Sequence, residues 1–182
     1  MRNSVSVLLI VLCVSMMSFS KIFAAEQGNY VPGVEGIKAA SLPPPGFYWR
    51  QYYAFYNAST LADQNGDELP VGFDLGVMAV VERFIYVTKK KFLGADYAFD
   101  IIVPLQHINL EIDAMGIDDN KFSLGDICIE PFLLSWHGDR YDAACGVGFY
   151  APTGAYDITE PASPGKDHWS TLLTLGTTLY LD

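Results

Sequence analysis

The chain has 182 residues, of which 51% are hydrophobic and 18% charged, with a formal net charge of −10. The apolar fraction excludes a disordered polypeptide. The acidic balance excludes a nucleic-acid binder, which needs a basic face for phosphate, and a polybasic anchor on anionic lipid.

Residues 1–25 read as a secretory signal. Arg2 supplies the positive start, Val5–Phe19 the apolar stretch, and Ala24-Ala25 the small residues for cleavage. The apolar run falls short of the roughly 20 residues a spanning helix needs. Cleavage removes Arg2 and Lys21 and no acid, leaving nine basic against 21 acidic residues, a net −12. Residues 26–46 form a Pro/Gly-rich segment that ends in Pro43-Pro44-Pro45-Gly46. Three consecutive prolines cannot enter a central strand or a helix and favour an extended path.

From Phe47 the apolar residues recur every second position, the period of a strand with one buried face. Six strands are predicted: Phe47–Asn57, Val71–Val87, Phe92–Leu105, Phe122–Trp136, Tyr141–Ala151 and His168–Leu181. In Val71–Val87 the odd positions are apolar except Arg83, and the even ones include Asp74, Gly76 and Glu82. In Phe92–Leu105 the odd set (Tyr97, Phe99, Ile101, Val103) opposes Asp96, Ala98 and Asp100. In Phe122–Trp136, Ile127, Ile129 and Leu133 oppose Asp126 and Glu130. The predicted connections, 58–70, 88–91, 106–121, 137–140 and 152–167, run long, short, long, short, long. In an up-and-down sheet that places every long loop at one end, the arrangement of an outer-membrane barrel. The strands are far longer than the roughly 5–6 residues usual in soluble sheets. Aromatics near the strand ends suit an interfacial girdle. The expected fold is therefore all-β: an antiparallel up-and-down meander over residues 47–182, part of a transmembrane outer-membrane-type barrel of about six strands. The other fold that fits this alternation is a secreted soluble β-sheet module that binds a ligand or serves as structure.

Asp74, Glu82, Asp96, Asp100, Asp126 and Glu130, with Arg50 as a charge partner, are the candidates to line a lumen. Arg83 interrupts the apolar face; it either snorkels to an interface or is turned inward by a bulge, and Glu82, pointing the other way, is not its partner. Asp63-Gln64-Asn65-Gly66 reads as a turn, lacking the spacing of a calcium loop. Cys128 and Cys145 fall on neighbouring strands but offset by about four residues, about 13 Å, which is beyond disulfide reach. The sequence holds no nucleophile elbow or Walker A motif, and His107, His137 and His168 lack the spacing of a zinc site. No enzyme activity, metal or cofactor is expected.

Several short motifs carry a family resemblance. Tyr30-Val31-Pro32-Gly33, then Pro43-Pro44-Pro45-Gly46-Phe47-Tyr48, Asp63-Gln64-Asn65-Gly66, Arg83–Thr88 and Leu93-Gly94-Ala95-Asp96-Tyr97 come first. Leu124-Gly125-Asp126-Ile127, Trp136-His137, Tyr150–Asp157, His168-Trp169 and Leu179-Tyr180-Leu181 follow in the same order. Together they resemble the MetA-pathway phenol-degradation family of transporter-like outer-membrane proteins. The resemblance implies a β-barrel in the outer membrane of a Gram-negative bacterium, in contact with lipid and passing small, hydrophobic or aromatic solutes. Members of the family are longer, so the resemblance implies an incomplete barrel, either truncated or closed by a second chain or by self-association. Tyr86 stands where members often have Trp, and Asp182 departs from their aromatic C-terminus.

Overall fold

The alternating segments form seven antiparallel strands in the computed structural model, which describes Gly36 and residues 39–181. The predicted signal and most of the Pro/Gly-rich segment lie outside the described residues. The strands are β1 (Gly46–Ala58), β2 (Phe73–Phe92), β3 (Ala95–Ile112), β4 (Ile117–Leu124), β5 (Ile127–His137), β6 (Tyr141–Ala151) and β7 (Ser170–Leu179). They make one sheet in the order β1-β2-β3-β5-β6-β7, with β4 also paired to β3. The expected all-β meander is thus present, and the sheet is not closed into a barrel.

The count differs from six because one predicted strand is interrupted. β4 pairs with β3 from Leu105 to Ile112, and β5 pairs with it from Asp96 to Ile102. They lie end to end along one neighbour, separated only at Gly125-Asp126. The sheet therefore has six strand lines. The predicted loop over 106–121 is mostly strand, since β3 runs on to Ile112 and turns through Asp113–Met115 and Gly116 into β4. Asp118-Asp119-Asn120 are turn formers by composition, but here they sit in paired positions.

The short turn expected at 88–91 also moves. Lys89–Lys91 belong to β2, and the chain reverses at Leu93-Gly94, where φ is 52° and 80°. Two positive φ values match the tight hairpin turn whose twist suits antiparallel strands. Leucine pays for that conformation with a Cβ–carbonyl clash of about 1–2 kcal/mol. Leu93→Asn is therefore expected to stabilise the hairpin by about 1 kcal/mol, read as a higher urea midpoint at unchanged slope. At the opposite end Asp63 shapes the 59–72 loop. Its carboxylate accepts the backbone N–H groups of Asn65 (2.8 Å) and Asp67 (3.0 Å). These two bonds, Asn65 first, hold the carboxyl below its ordinary pKa. Gly66 (φ 87°) completes the predicted turn.

Register decides which side chains share a face, because directly paired residues point the same way. Tyr48, Arg50 and Tyr52 share a face with Ile85, Arg83 and Val81. The same face continues through Ala98, Asp100 and Ile102 to Cys128, Glu130, Leu133 and Ser135. It ends on Gly146, Gly148 and Gly176. Leu133 is a correction to the simple alternation: a register shift between Ile129 and Phe132 brings it to the side of Glu130. Pro131 sits in that bulge, the place a strand tolerates a residue without an N–H.

The core lies on this same face. Ile85, Val87 and Ala98 are buried, with Leu42, Tyr48 and Leu133 packed around them. Residues 40–42 also reach the far side of the sheet: a Cβ at Gly176 would stand 3.9 Å from that of Ala40. Four flat inter-strand spacings from β2 to β7 would span about 19 Å. Three residues touch both ends, so the sheet curls around them. Glycine and alanine on the inside and large rings outside fit that curvature.

Candidate functional site

Arg83 is the centre of the inner wall. Its Nε donates to Asp100 Oδ2 (2.6 Å) and its Nη2 to Glu130 Oε2 (2.9 Å). The three residues lie on β2, β3 and β5 and are 8%, 3% and 3% exposed. Burial removes water's competition and also its solvation, so the charges depend on each other. No bulge is needed to place Arg83. The β1–β2 pairing is unbroken, and the apolar odd face of β2 is itself the inner face. Arg50 sits in register beside Arg83. Two arginines and two carboxylates thus form a balanced charge layer across four strands. Gly148 gives it room: a Cβ there would come within 2.9 Å of Glu130 Cγ.

A second polar group closes one end of the wall. His137 Nδ1 lies 2.9 Å from Asp142 Oδ1, and its Nε2 lies 3.4 Å from Asp96 Oδ2. Lys91 bridges Asp96 at 2.9 Å. Tyr180 donates to Asp142 Oδ2 at 2.5 Å, and Ser41 donates to the same oxygen. The Ser135 hydroxyl stands 3.4 Å from His137 Nε2 but gives its proton to the Ala40 carbonyl at 2.8 Å. The hydroxyl, imidazole and carboxylate therefore act as a clasp on residues 40–41.

The remaining candidates have other positions. Asp126 accepts the backbone N–H groups of Gly154 (3.0 Å) and Lys166 (3.1 Å) at the break between β4 and β5. It anchors the 152–169 loop rather than facing the inner wall. The same loop covers the edge of β4, where Ala162 N donates to Asp119 (2.9 Å) and Lys121 binds Glu160. Asp74 and Glu82 correct the expected alternation, because they point to the opposite face from Asp100 and Glu130. Glu82 there accepts bonds from Trp49 and Gln51. β2 misled because both of its faces are apolar enough to be buried. Arg50, Asp96, Asp100 and Glu130 do share the inner face. Sequence reasoning did not assign Ser41, Ser135, Asp142 or Tyr180. The signal for them was Ser135-Trp136-His137, whose outer two residues share a face, followed across a tight turn by Asp142.

The outer face has the opposite chemistry. Phe47, Trp49, Phe55, Met78, Phe84, Phe122, Phe132, Leu173 and Leu175 all stand exposed on it. From Met78 to Tyr86 this belt follows β2 for about 26 Å. Asp74, Glu111 and Asp118 form an in-register acidic row beyond one margin, and Lys89–Lys91 lie beyond the other. Cys145 pairs with Leu134 on the outer side and Cys128 with Tyr150 on the inner, so no disulfide joins them. No helix among the described residues is long and apolar enough to cross a membrane.

No curated protein and no solved structure matches the chain. A family model does match, over residues 58–182, starting after the Pro/Gly-rich motifs and β1 and covering the rest of the sheet. The chain belongs to the family described as Putative MetA-pathway of phenol degradation.

Proposed function

We propose that this sheet is wall of an outer-membrane β-barrel that passes small, hydrophobic or aromatic solutes, and that the chain is a conduit and not a catalyst. One observation carries the reading: a belt of exposed apolar and aromatic side chains covers one face, while the other holds buried charges, glycines and a small apolar core. A soluble protein rarely exposes a contiguous apolar patch beyond a few hundred Å². Lipid removes that penalty, and the belt height approaches the roughly 25 Å of barrel proteins. The predicted signal supplies the export step, and the outer membrane of a Gram-negative cell is the proposed location. The family description places the chain in the context of phenol degradation, which suits an aromatic solute.

Bilayer barrels have no free edges, because an unpaired backbone group in hydrocarbon costs several kcal/mol. Among the described residues β1 and β7 each have one strand neighbour. With six strand lines they run in opposite directions, so strands from a second copy fit both edges in the antiparallel sense.

Leu175→Arg tests the reading. Leu175 is 81% exposed, so a water-soluble protein tolerates arginine there. In a bilayer the change is expected to cost about 2–4 kcal/mol near the midplane and to deplete the protein from the washed membrane fraction. Recovery of the wild-type protein in the soluble periplasm, with Leu175→Arg unchanged in yield, sinks the proposal in favour of the soluble module.

A further inference from the structure

The clasp at one end of the inner wall joins neighbouring strands through Lys91–Asp96 and His137–Asp142, and it also reaches beyond the sheet. It holds residues 40–42, a short strap that lies across the inner face. Ala40 is 1% exposed and Ser135 is fully covered. The strap is tied on both flanks: Ser41 to Asp142 and Tyr180, Ala40 to Ser135, and Leu42 into the Ile85–Val87–Ala98 cluster. On its far side Pro43-Pro44-Pro45 runs directly into β1, with Tyr48 OH donating to the Pro44 carbonyl at 2.7 Å. Three prolines make that connection stiff.

We infer that residues 40–42 are a gate: docked in the clasp they obstruct the lumen, and released from it they open the passage. This rests on the barrel reading above. Three features of the contact suit a gate better than a permanent plug. The strap is joined by hydroxyls and a carbonyl, groups that water satisfies equally well once it leaves. The apolar burial lost on release is small, the methyl of Ala40 and the half-buried side chain of Leu42. The wall beneath it is glycine and alanine (Gly176, Ala144), which offer little grip. The charged and titratable clasp residues are Asp96 on β3, His137 on β5, Asp142 on β6, Lys91 on β2 and Tyr180 just after β7, so the clasp stays polar and wettable without the strap.

The geometry supplies its own test. The 3.9 Å between Cβ positions at Ala40 and Gly176 falls within the about 3.5–4.5 Å that a disulfide spans. Ala40→Cys/Gly176→Cys, in a Cys128→Ala/Cys145→Ala background, is therefore expected to oxidise without rearrangement. The full-length protein is reconstituted in planar bilayers and its conductance read in potassium chloride. The oxidised form is expected to conduct several-fold less than the same protein after reduction, while Ala40→Cys alone ignores the oxidant. Separately, Ser41→Ala touches only the strap side of the clasp and is expected to raise conductance several-fold with no tether present.

A tether that closes with equal conductance before and after reduction overturns the gate and leaves the barrel standing. Failure of the tether to form in membrane-inserted protein, with both thiols open to labelling, overturns the docked strap. Unchanged conductance in Ser41→Ala overturns the latch. Protein that fractionates with the soluble periplasm and conducts in neither state overturns the barrel reading, and the gate with it.

Discussion

Arg83→Met is expected to destabilise the sheet by about 3–5 kcal/mol, the usual effect of removing one member of a buried ion network. Methionine fills much of the same volume, so packing is not what is lost. Asp100 and Glu130, in register across β3 and β5, would face each other with no guanidinium between them. Two like charges in a dry wall cannot both remain ionised without large cost. The apt comparison is a variant in which all three are apolar, Arg83→Met/Asp100→Leu/Glu130→Leu. Buried ion networks replaced whole by hydrophobic groups are often neutral in stability. The triple variant is therefore expected to recover most of the loss, read as the urea midpoint of the detergent-folded protein. A single variant within about 1 kcal/mol of wild type would mean that water reaches the site and that the wall is not dry there.

Gly154→Val is the second large effect. The 152–169 loop meets the β4–β5 break backbone against backbone. A Cβ on Gly154 would stand 2.6 Å from Gly165 Cα, 2.8 Å from Gly125 C and 2.9 Å from Asp126 N. None of these atoms can swing aside as a side chain would. The loop must lift, which removes the Gly154 and Lys166 N–H groups from the Asp126 carboxylate. Overpacking of about 1–3 kcal/mol adds to the loss of two hydrogen bonds to a charged group, each worth about 1.5–3 kcal/mol. The readout is local as well as global. Proteolysis between residues 152 and 169 is expected to accelerate before the strands unpair, as β4 loses its cover. Equal protease resistance in Gly154→Val and wild type would refute the docking of the loop.

The strand period was readable in the sequence because alternation is a local signal. It placed the hairpin β5–β6, the strand β7 and the polar side of β3 correctly. It failed at three kinds of position. Leu93 takes a positive φ beside Gly94 although leucine is no turn former, since the twist of the paired strands requires it at both turn positions. Asp118-Asp119-Asn120 read as a loop, yet they pair because the strands outrun the apolar belt. The alternation orients β2 the wrong way round, with Asp74 and Glu82 inward, because Phe84 and Tyr86 on one side rival Ile85 and Val87 on the other. Only the packing of Leu42 against Ile85 and Val87 decides it. That contact, like the salt bridge from Arg83 to Glu130, joins distant residues and has no periodic trace. Asp100 and Glu130 were legible as members of one wall, but their shared cation was not, because it lay on a face read as apolar.

The strap's ties also set an order of events. Ser41 meets Asp142 and Tyr180 across sequence separations of 101 and 139 residues, whereas most of the sheet forms between neighbouring strands. Contacts so far apart in the chain form late. Hairpins can assemble one after another from β1, but the clasp does not exist until β6 and the residues after β7 arrive. The segment that precedes every strand in the chain is thus the last to settle. Docking of the strap therefore reports that β6 and β7 have already paired.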